Sequence, residues 1–364
     1  MSIEISFKKK AETVKNRSTR GITCIILKDT TVSGRKEYTR KQQITENYSE
    51  ENKRILVDGF DKFGVNKLIV YSITGDATLT SALNNLKKIK MNFIALNFEY
   101  TEDELEELIK FVEERKIANM DVQAVVNDVI TKEQTPINTY FDCMVSNDAK
   151  ISNTRTLTDY ESACWKAFAE ATRKIGTSTT YLITPDITEV NDVDEKEYKS
   201  TGKCTFIFDG DKIKFSQAVT CLTTLGTDEK DLQKKRKIID DMIIVKTDIY
   251  TTFRDEYVGK VTNDYVHRVA FTGNVNKYLA KLSLDGVLNR NYANRVELDV
   301  QAMRDYMEST TDEDGNAKES HDTSLMTDNE VLIDAEGWTG DKVFLKGEIA
   351  FVDATESLAC VFTF

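Results

Sequence analysis

The stretch Lys67-Leu68-Ile69-Val70-Tyr71-Ser72 (KLIVYS) predicts the fold class of the first half of the chain. It is a short apolar run, which is typical of a strand buried on both faces of a sheet. A second run of this kind, residues 92–97 (NFIALN), follows after a segment with helical spacing at residues 79–89. Strands that alternate with helices in this way favour parallel βαβ units.

The same alternation continues outward in both directions. On the N-terminal side there are a buried strand at residues 21–28 (GITCIILK) and a helix at residues 52–60. On the C-terminal side there are an amphipathic helix at residues 102–116 and a strand at residues 122–126. The first half of the chain is therefore predicted to form an α/β domain.

Beyond residue 150 the pattern changes to long helices and short strands. Two alternating runs at residues 202–215 flank Asp209-Gly210, a pair that tolerates the positive φ of a tight turn, so a β-hairpin is predicted there. Residues 309–329 form a polar acidic segment with few candidates for a core. The remaining predicted elements are helices at residues 159–175, 228–252, 264–283 and 300–308, and strands at residues 181–184, 342–352 and 358–364.

Both ends of the chain have the pattern of short alternating strands. An apolar strand at a chain end needs a sheet to join, because its unpaired amides and carbonyls otherwise form a sticky edge. If that sheet belongs to another copy of the protein, the ends are arms that link subunits. Residues 8–20 are polar and basic and are predicted to be a tether. The candidate arm residues are Ile3, Ile5, Phe7, Leu358, Val361, Phe362 and Phe364.

Composition restricts the class of protein. The chain has 364 residues, of which 40% are hydrophobic, so two or more domains with real cores are expected. The formal net charge of −12 argues against a general binder of nucleic acid or of anionic membranes. No apolar run approaches the length of a membrane span, and the first thirty residues lack the layout of a signal peptide. We therefore expect the protein to be made and folded in a cytoplasm.

No pattern of a catalytic, cofactor-binding or metal site is found in the sequence. His267 and His321 are the two histidines, and neither lies in a recognisable acid–base motif. The sequence contains no glycine-rich phosphate loop or nucleophile elbow. Its six cysteines lack metal-ligand spacing and are expected to be buried free thiols. Residues 312–315 (DEDG) resemble a calcium loop in composition only, so a solvated acidic loop is favoured.

A resemblance to a known family rests on three parts of the sequence. Residues 253–265 (FRDEYVGKVTNDY), with 284–288 (LDGVL), resemble the C-terminal domain of contractile phage tail sheath proteins. Residues 202–225 resemble an upstream stretch of that family, except that Ser216-Gln217 stands where relatives commonly carry a basic residue. The N-terminal residues 5–8 and 20–22 resemble the start of the short sheaths of Gram-positive phages and R-type bacteriocins, which are phage-tail-like particles.

The resemblance implies a multidomain sheath fold of the α/β and α+β classes, with strand arms exchanged between subunits. The implied order is an N-terminal arm and tether (1–20), an outer α/β domain with a mixed sheet (21–227), a shared α+β core domain (228–348) and a C-terminal strand arm (349–364). Residues around 347–352 would be part of the region that receives a strand from a neighbour.

The implied function is that of a structural subunit which polymerises around a tail tube and contracts to drive the tube through a target cell envelope. The implied partners are other sheath subunits in stacked helical rings, the tail tube, the baseplate and the tail terminator, and no cofactor, nucleic acid or membrane is expected. Such a protein is not an enzyme; it is assembled in a bacterial host and released with the particle. Two alternatives stay open: another tail component, such as tube or baseplate, or a nucleotide-binding α/β enzyme.

A run of four cations is the candidate contact with an acidic tube, because exposed charge pairs are weak enough to break when the sheath moves. The alternative is an ordinary solvated face of the long helix predicted at residues 228–252. The four residues of this basic run are Lys234, Lys235, Arg236 and Lys237.

Overall fold

A computed structural model of the chain describes residues 20–127, 139–152, 155–227, 229–312 and 315–356. All of the candidate arm residues, Ile3, Ile5, Phe7, Leu358, Val361, Phe362 and Phe364, lie outside these ranges, so the arms stay predictions. The described residues group by their contacts into two units. We call residues 20–244 together with 353–356 the α/β unit, and residues 245–352 the C-terminal unit.

The described residues contain fourteen strands and nine α-helices. The strands are β1 (Ile22–Lys28), β2 (Gly34–Tyr38), β3 (Lys67–Ile73), β4 (Phe93–Asn97), β5 (Gln123–Val126), β6 (Phe141–Met144), β7 (Lys150–Ile151), β8 (Arg155–Thr156), β9 (Ile187–Glu189), β10 (Lys203–Cys204), β11 (Phe206–Phe208), β12 (Ile213–Phe215), β13 (Arg295–Leu298) and β14 (Leu345–Glu348). The helices are α1 (Glu50–Asp61), α2 (Leu79–Leu86), α3 (Glu102–Ile117), α4 (Asp159–Thr172), α5 (Glu195–Ser200), α6 (Arg236–Glu256), α7 (Tyr265–Leu284), α8 (Val300–Glu308) and α9 (Asp328–Trp338).

A mixed sheet of seven strands organises the α/β unit, with the order β10-β6-β5-β4-β1-β3-β2. All neighbouring strands are parallel except β2, which runs antiparallel to β3 at one edge. The parallel βαβ pattern predicted from the sequence is therefore confirmed, and so is the mixed α/β class.

Helices cover both faces of this sheet, which explains why apolar side chains on its central strands point to both faces. In β1, Ile25 and Leu27 point into one core, together with side chains of α1 and α4. Cys24 and Ile26 point into the other core, together with side chains of α2 and α3. A strand with two dry faces has no solvent-facing positions, so it loses the polar alternation of a half-exposed strand.

The Asp-Gly hairpin is confirmed. Strands β11 and β12 pair antiparallel, with Phe206 opposite Phe215, and Gly210 in the turn has φ of 96°. The strand predicted at residues 181–184 is wrong: Ile183 forms only an isolated bridge to Lys214, and Tyr181 has φ of 57°, which an extended strand does not allow.

One helix prediction needs correction, and one helix was not predicted. Helix α6 begins at Arg236 and not at residue 228, because residues 231–234 form a short 3-10 turn and Lys235 is extended, with ψ of 120°. Helix α9, which begins at Asp328, was missed. It follows the polar segment directly, and Thr327 caps its N-terminus by accepting a hydrogen bond from Glu330 N.

The C-terminal unit contains the helices α7, α8 and α9 and a small sheet. Val275, Tyr278 and Leu279 of α7 are buried. Met303 of α8 and Val331 of α9 belong to a second small cluster. The sheet consists of β13 and β14, which pair antiparallel, so the last described strand is shorter than the predicted residues 342–352.

We predict that truncating the core-facing side of α4 destabilises the α/β unit strongly. Phe168 is fully buried between α1 and α4, and Phe168→Ala should lower the free energy of unfolding by about 3–5 kcal/mol, because it removes buried apolar surface and leaves a cavity. Ile117→Ala, at a side chain that is 77% exposed, is the control and should change stability by at most about 0.5 kcal/mol. Urea unfolding followed by circular dichroism measures both. Equal effects of the two variants would contradict this packing.

Candidate assembly sites

The small sheet of the C-terminal unit is the first candidate site. It has only two strands, and in the described part of the chain no further strand pairs with either outer edge. The register places Val296 of β13 opposite Gly347 of β14. A sheet of two strands alone is only marginally stable, so an additional strand or a covering element would increase its stability.

The outer edge of β13 is closed by a side chain of α7. The Asn276 side-chain amide donates from Nδ2 to the Val296 carbonyl at 2.9 Å and accepts at Oδ1 from the Val296 amide at 2.8 Å. These two bonds satisfy the main-chain groups that a further strand would use at this position. Asn276 therefore occupies the place of a third strand.

Among the described residues, no strand pairs with the outer edge of β14. Antiparallel pairs alternate between bonded and non-bonded positions. Because the Val296 main chain points away from β14, the main chain of its opposite residue Gly347 points away from β13, and the main chain of Leu345 does the same. The Asp299 amide donates to the Phe344 carbonyl at 3.0 Å, which fits this alternation.

Gly347 is required by the close approach of the two strands. A Cβ atom at this position would lie 2.4 Å from the Arg295 carbonyl oxygen. Beyond β14, the chain is tied to the preceding loop, where Asn289 N donates to Ala350 O at 2.8 Å and Ala350 N donates to Asn294 Oδ1 at 2.8 Å. The β14 edge is therefore held in place from both ends.

The second candidate site, in the α/β unit, is where the described chain begins. We call Arg20 the N-terminal root. Its guanidinium donates from Nε to the Arg173 carbonyl and from Nη2 to the Glu170 carbonyl, each at 3.0 Å, and Nη2 lies 2.7 Å from an Asp240 oxygen. Arg20 thus satisfies carbonyls at the C-terminal end of α4, which have no partner within the helix.

The last described segment is also fixed on the α/β unit. We call Asp353 and Glu356 the C-terminal root. Lys235 forms ion pairs with Glu356 and, at 3.4 Å, with Asp353. The Thr180 hydroxyl donates to Glu356 at 2.9 Å. Burial alone would lower the pKa of Lys235, but the hydrogen bond to Glu356 and the charge of Asp353 raise it.

Buried ion pairs lie next to the N-terminal root. Arg173 lies 2.5 Å from Asp240 and 3.0 Å from Asp241, and all three side chains are at most 3% exposed. Asp241 also pairs with Lys237 at 2.9 Å. Burial alone would raise the pKa of Asp240, but the charges of Arg173 and Arg20 hold it at about 2.

The basic run does not form the exposed face that the tube-contact hypothesis required. Arg236 is fully buried, 2.5 Å from Asp142 and hydrogen-bonded to Gln123. Lys237 is buried against Asp241, and Lys235 binds the C-terminal root. Burial of these cations also rules out an ordinary solvated helix face. Only Lys234, whose side chain is 34% exposed, reaches solvent appreciably, and a tube contact stays a prediction for it.

The other candidate residues of the sequence are brought into no common site. His267 Nδ1 lies 2.8 Å from Asp264 at the start of α7, and His321 stacks on Trp338 with ring centroids 4.4 Å apart. The five described cysteines are buried, as expected. Among the described side chains, no group of three or more His, Cys, Asp or Glu is placed to hold a metal ion. None of the described helices is both long and apolar enough to cross a bilayer.

Comparisons with known proteins agree with the resemblance seen in the sequence. Residues 228–364 match the family model described as the phage tail sheath C-terminal domain. A curated tail sheath protein of the Clostridium phage phiCD119 is 24% identical over 369 residues, which cover 98% of this chain and 97% of that protein. The chain is thus similar to tail sheath proteins over nearly its whole length. The resemblance to contractile tail sheaths is therefore confirmed, and it extends along the whole chain.

Solved structures show the same fold. The sheath tail protein of Desulfitobacterium hafniense matches with a TM-score of 0.68 and 13% identity, over 82% of this chain and 93% of that one. The contracted helical sheath of the anti-feeding prophage matches with a TM-score of 0.65 and 11% identity, over 100% of this chain and 98% of that one. The sheath fold predicted for this chain is therefore confirmed.

We predict a pH-dependent loss of stability that originates at Asp240. Because its pKa is about 2 in the folded state and about 4 when unfolded, the ionised carboxylate stabilises the fold above pH 4, and this contribution disappears as the pH falls toward 2. Asp240→Asn should lower the free energy of unfolding by about 3–5 kcal/mol at pH 7, since it removes a buried carboxylate that pairs with both Arg173 and Arg20.

The difference between wild type and Asp240→Asn in urea unfolding should shrink between pH 4 and pH 2. The control is Asp61→Asn, which removes an exposed partner of Lys41 at 2.8 Å and should matter by at most about 1 kcal/mol at either pH. A wild-type advantage over Asp240→Asn that is constant from pH 7 to pH 2 would contradict the assignment.

Proposed function

We propose that this chain is the repeating subunit of a contractile tail sheath, which polymerises around a tail tube and contracts to drive the tube through the target cell envelope. The observation that carries the proposal is the match to a tail sheath protein over nearly the full length of both chains. A match of that extent covers most of both described units. The role is structural and not enzymatic.

Subunits are linked by strand addition in this proposal. The N-terminal segment with Ile3, Ile5 and Phe7, or the C-terminal segment with Val361 and Phe364, joins a sheet in a neighbouring copy. Main-chain hydrogen bonds supply the affinity of such an added strand, and its alternate side chains fix the register. This accounts for apolar chain ends, which would otherwise expose sticky edges to solvent.

The outer edge of β14 is the acceptor that the C-terminal unit offers. Asn276 closes the β13 edge at Val296, whereas the main chains of Leu345 and Gly347 point outward from β14. An added strand that pairs beside Leu345 and Gly347 would extend the sheet to three strands. This location agrees with the prediction that residues around 347–352 receive a neighbour.

Contraction requires a gain in free energy when subunits rearrange. We propose that the extended sheath is metastable and that rotation of the subunits buries further surface between them. A gain on the order of a few kcal/mol per subunit, multiplied over many copies, supplies the work. The sequence contains no glycine-rich phosphate loop, and this mechanism uses no nucleotide.

The proposed partners are other copies of this chain, the tail tube, the baseplate and the tail terminator. Similarity to chains in the contracted helical sheath and in the baseplate of the anti-feeding prophage supports sheath oligomers and association with a baseplate. Particle assembly takes place in the cytoplasm of a bacterial host in this proposal, and the product is a phage tail or an R-type bacteriocin.

We predict that removal of either terminal segment abolishes polymerisation but not folding. Deletion of residues 1–7, or of residues 358–364, removes the proposed strands and leaves both described units intact. Circular dichroism should show an unchanged melting temperature, and negative-stain microscopy should show no tubes. Normal tube formation by either truncated protein would refute the role of that segment.

A single substitution tests the acceptor edge. In Leu345→Pro the proline removes an amide that points away from β13, so the β13–β14 pair should survive while the added strand loses a donor. We expect a folded protein that does not form tubes. Leu345→Ala keeps the amide and is the matched control, which should polymerise. Polymerisation of both variants to the same extent would exclude this edge as the acceptor.

A further inference from the structure

The two ends of the described chain are bound to the same short segment of the α/β unit. Arg20 contacts Asp240 in α6, and Glu356 contacts Lys235, which lies five positions earlier, directly before α6 begins. We infer that residues 235–241, which we call the shared anchor, couple the two terminal segments, so that loosening one root loosens the other. The functional role of this coupling rests on the proposed function, but the coupling itself does not.

The N-terminal root is fixed by directional contacts to α4 and α6. The Arg20 guanidinium reaches two carbonyls at the end of α4 and one carboxylate of α6, while the next amide, Gly21 N, donates to the Ala171 carbonyl at 2.8 Å. The chain entering the unit therefore bridges these two helices. It cannot shift without breaking several of these bonds together.

Buried charges make the middle of the shared anchor stiff. Asp240 is shared by Arg20 and Arg173, and it also accepts from Gln123 Nε2 at 2.8 Å. Arg173 donates to the Lys237 carbonyl at 3.2 Å, which ties the end of α4 to the first turn of α6. Removal of one charge from such a cluster leaves the others buried without compensation, so the cluster responds as a unit.

The C-terminal root is joined to the same turn through main-chain contacts. Thr180, which donates to Glu356, accepts at its hydroxyl from Ala218 N at 3.0 Å. The Ala218 carbonyl in turn accepts from Arg236 N at 3.2 Å. Lys235 precedes this residue directly. Movement of the first turn of α6 would therefore displace both partners of Glu356.

A shared anchor suits a subunit that is linked through both ends. Both roots are bound to the shared anchor, so a pull on one root is passed to the other through few bonds. The two roots therefore keep a fixed relation to each other. In a lattice built in this way, subunits can rearrange while the distance between the two roots of each subunit stays the same.

Hydrogen exchange on the full-length, unassembled protein tests the coupling. Arg20→Met keeps the length of the side chain and removes its charge, and it should speed amide exchange by about tenfold both at residues 20–24 and at residues 351–356. Lys235→Met, which removes the charge at the C-terminal root, should likewise speed amide exchange at both roots. Exchange in β3, residues 67–73, should be unchanged and reports on global stability.

Lys41→Met is the matched control, because it removes a lysine from an exposed pair with Asp61 and should change neither root. Faster exchange only at the substituted root would overturn the inference. If β3 also exchanges faster in Arg20→Met, the conservative variant Arg20→Lys is measured instead. Partial protection of the amides at both roots in that variant would support the coupling. Loss of amide protection at only one root would overturn it. Because the measurement needs no polymer, failure of the coupling and failure of the sheath function are distinguishable.

Discussion

Unpaired main-chain groups at a strand edge are the constraint that unifies this structure. Each edge must be paired, covered or protected by charge. The large sheet protects its β2 edge with charged side chains, among them Arg35 and Glu37, and Lys67 pairs with Glu37 at 2.7 Å. The small sheet closes its β13 edge with Asn276. The β14 edge also carries charged side chains, Lys346 and Glu348, but in the described part of the chain no side chain takes the place that Asn276 takes at β13. We propose that an assembling subunit uses this difference.

Buried charge has a second role, at the places where the terminal segments begin. Ion pairs in a dry interior cost desolvation energy, so a cluster such as Arg173, Asp240 and Asp241 is a poor source of net stability compared with apolar packing. The hydrogen bonds and ion pairs of this cluster are directional, however, and loss of one partner lowers the stability of the fold. A root that must stay in place while its segment is pulled benefits from such geometry more than from non-directional contacts.

The sequence predicts the framework well, because local pattern decides it. The mostly apolar run at residues 67–72 and the Asp209-Gly210 turn are both decided by residues close in the sequence, and both predictions were confirmed. Burial of Arg236 could not be foreseen in this way, because its partners Asp142 and Gln123 lie 94 and 113 positions away in the sequence. For α9 a local signal did exist, the capping box of Thr327 and Glu330, but the polar segment before it obscured it.

We propose that a terminal segment of one subunit completes the β14 edge of another. A cryo-EM map of the assembled polymer, at a resolution that traces main chains and side chains, would reveal such a strand. We expect a third strand beside β14, contributed by residues 3–7 or 358–364 of a different copy and hydrogen-bonded to Leu345 and Gly347. A polymer in which both segments fold back on their own subunit, with the β14 edge still unpaired, would contradict it.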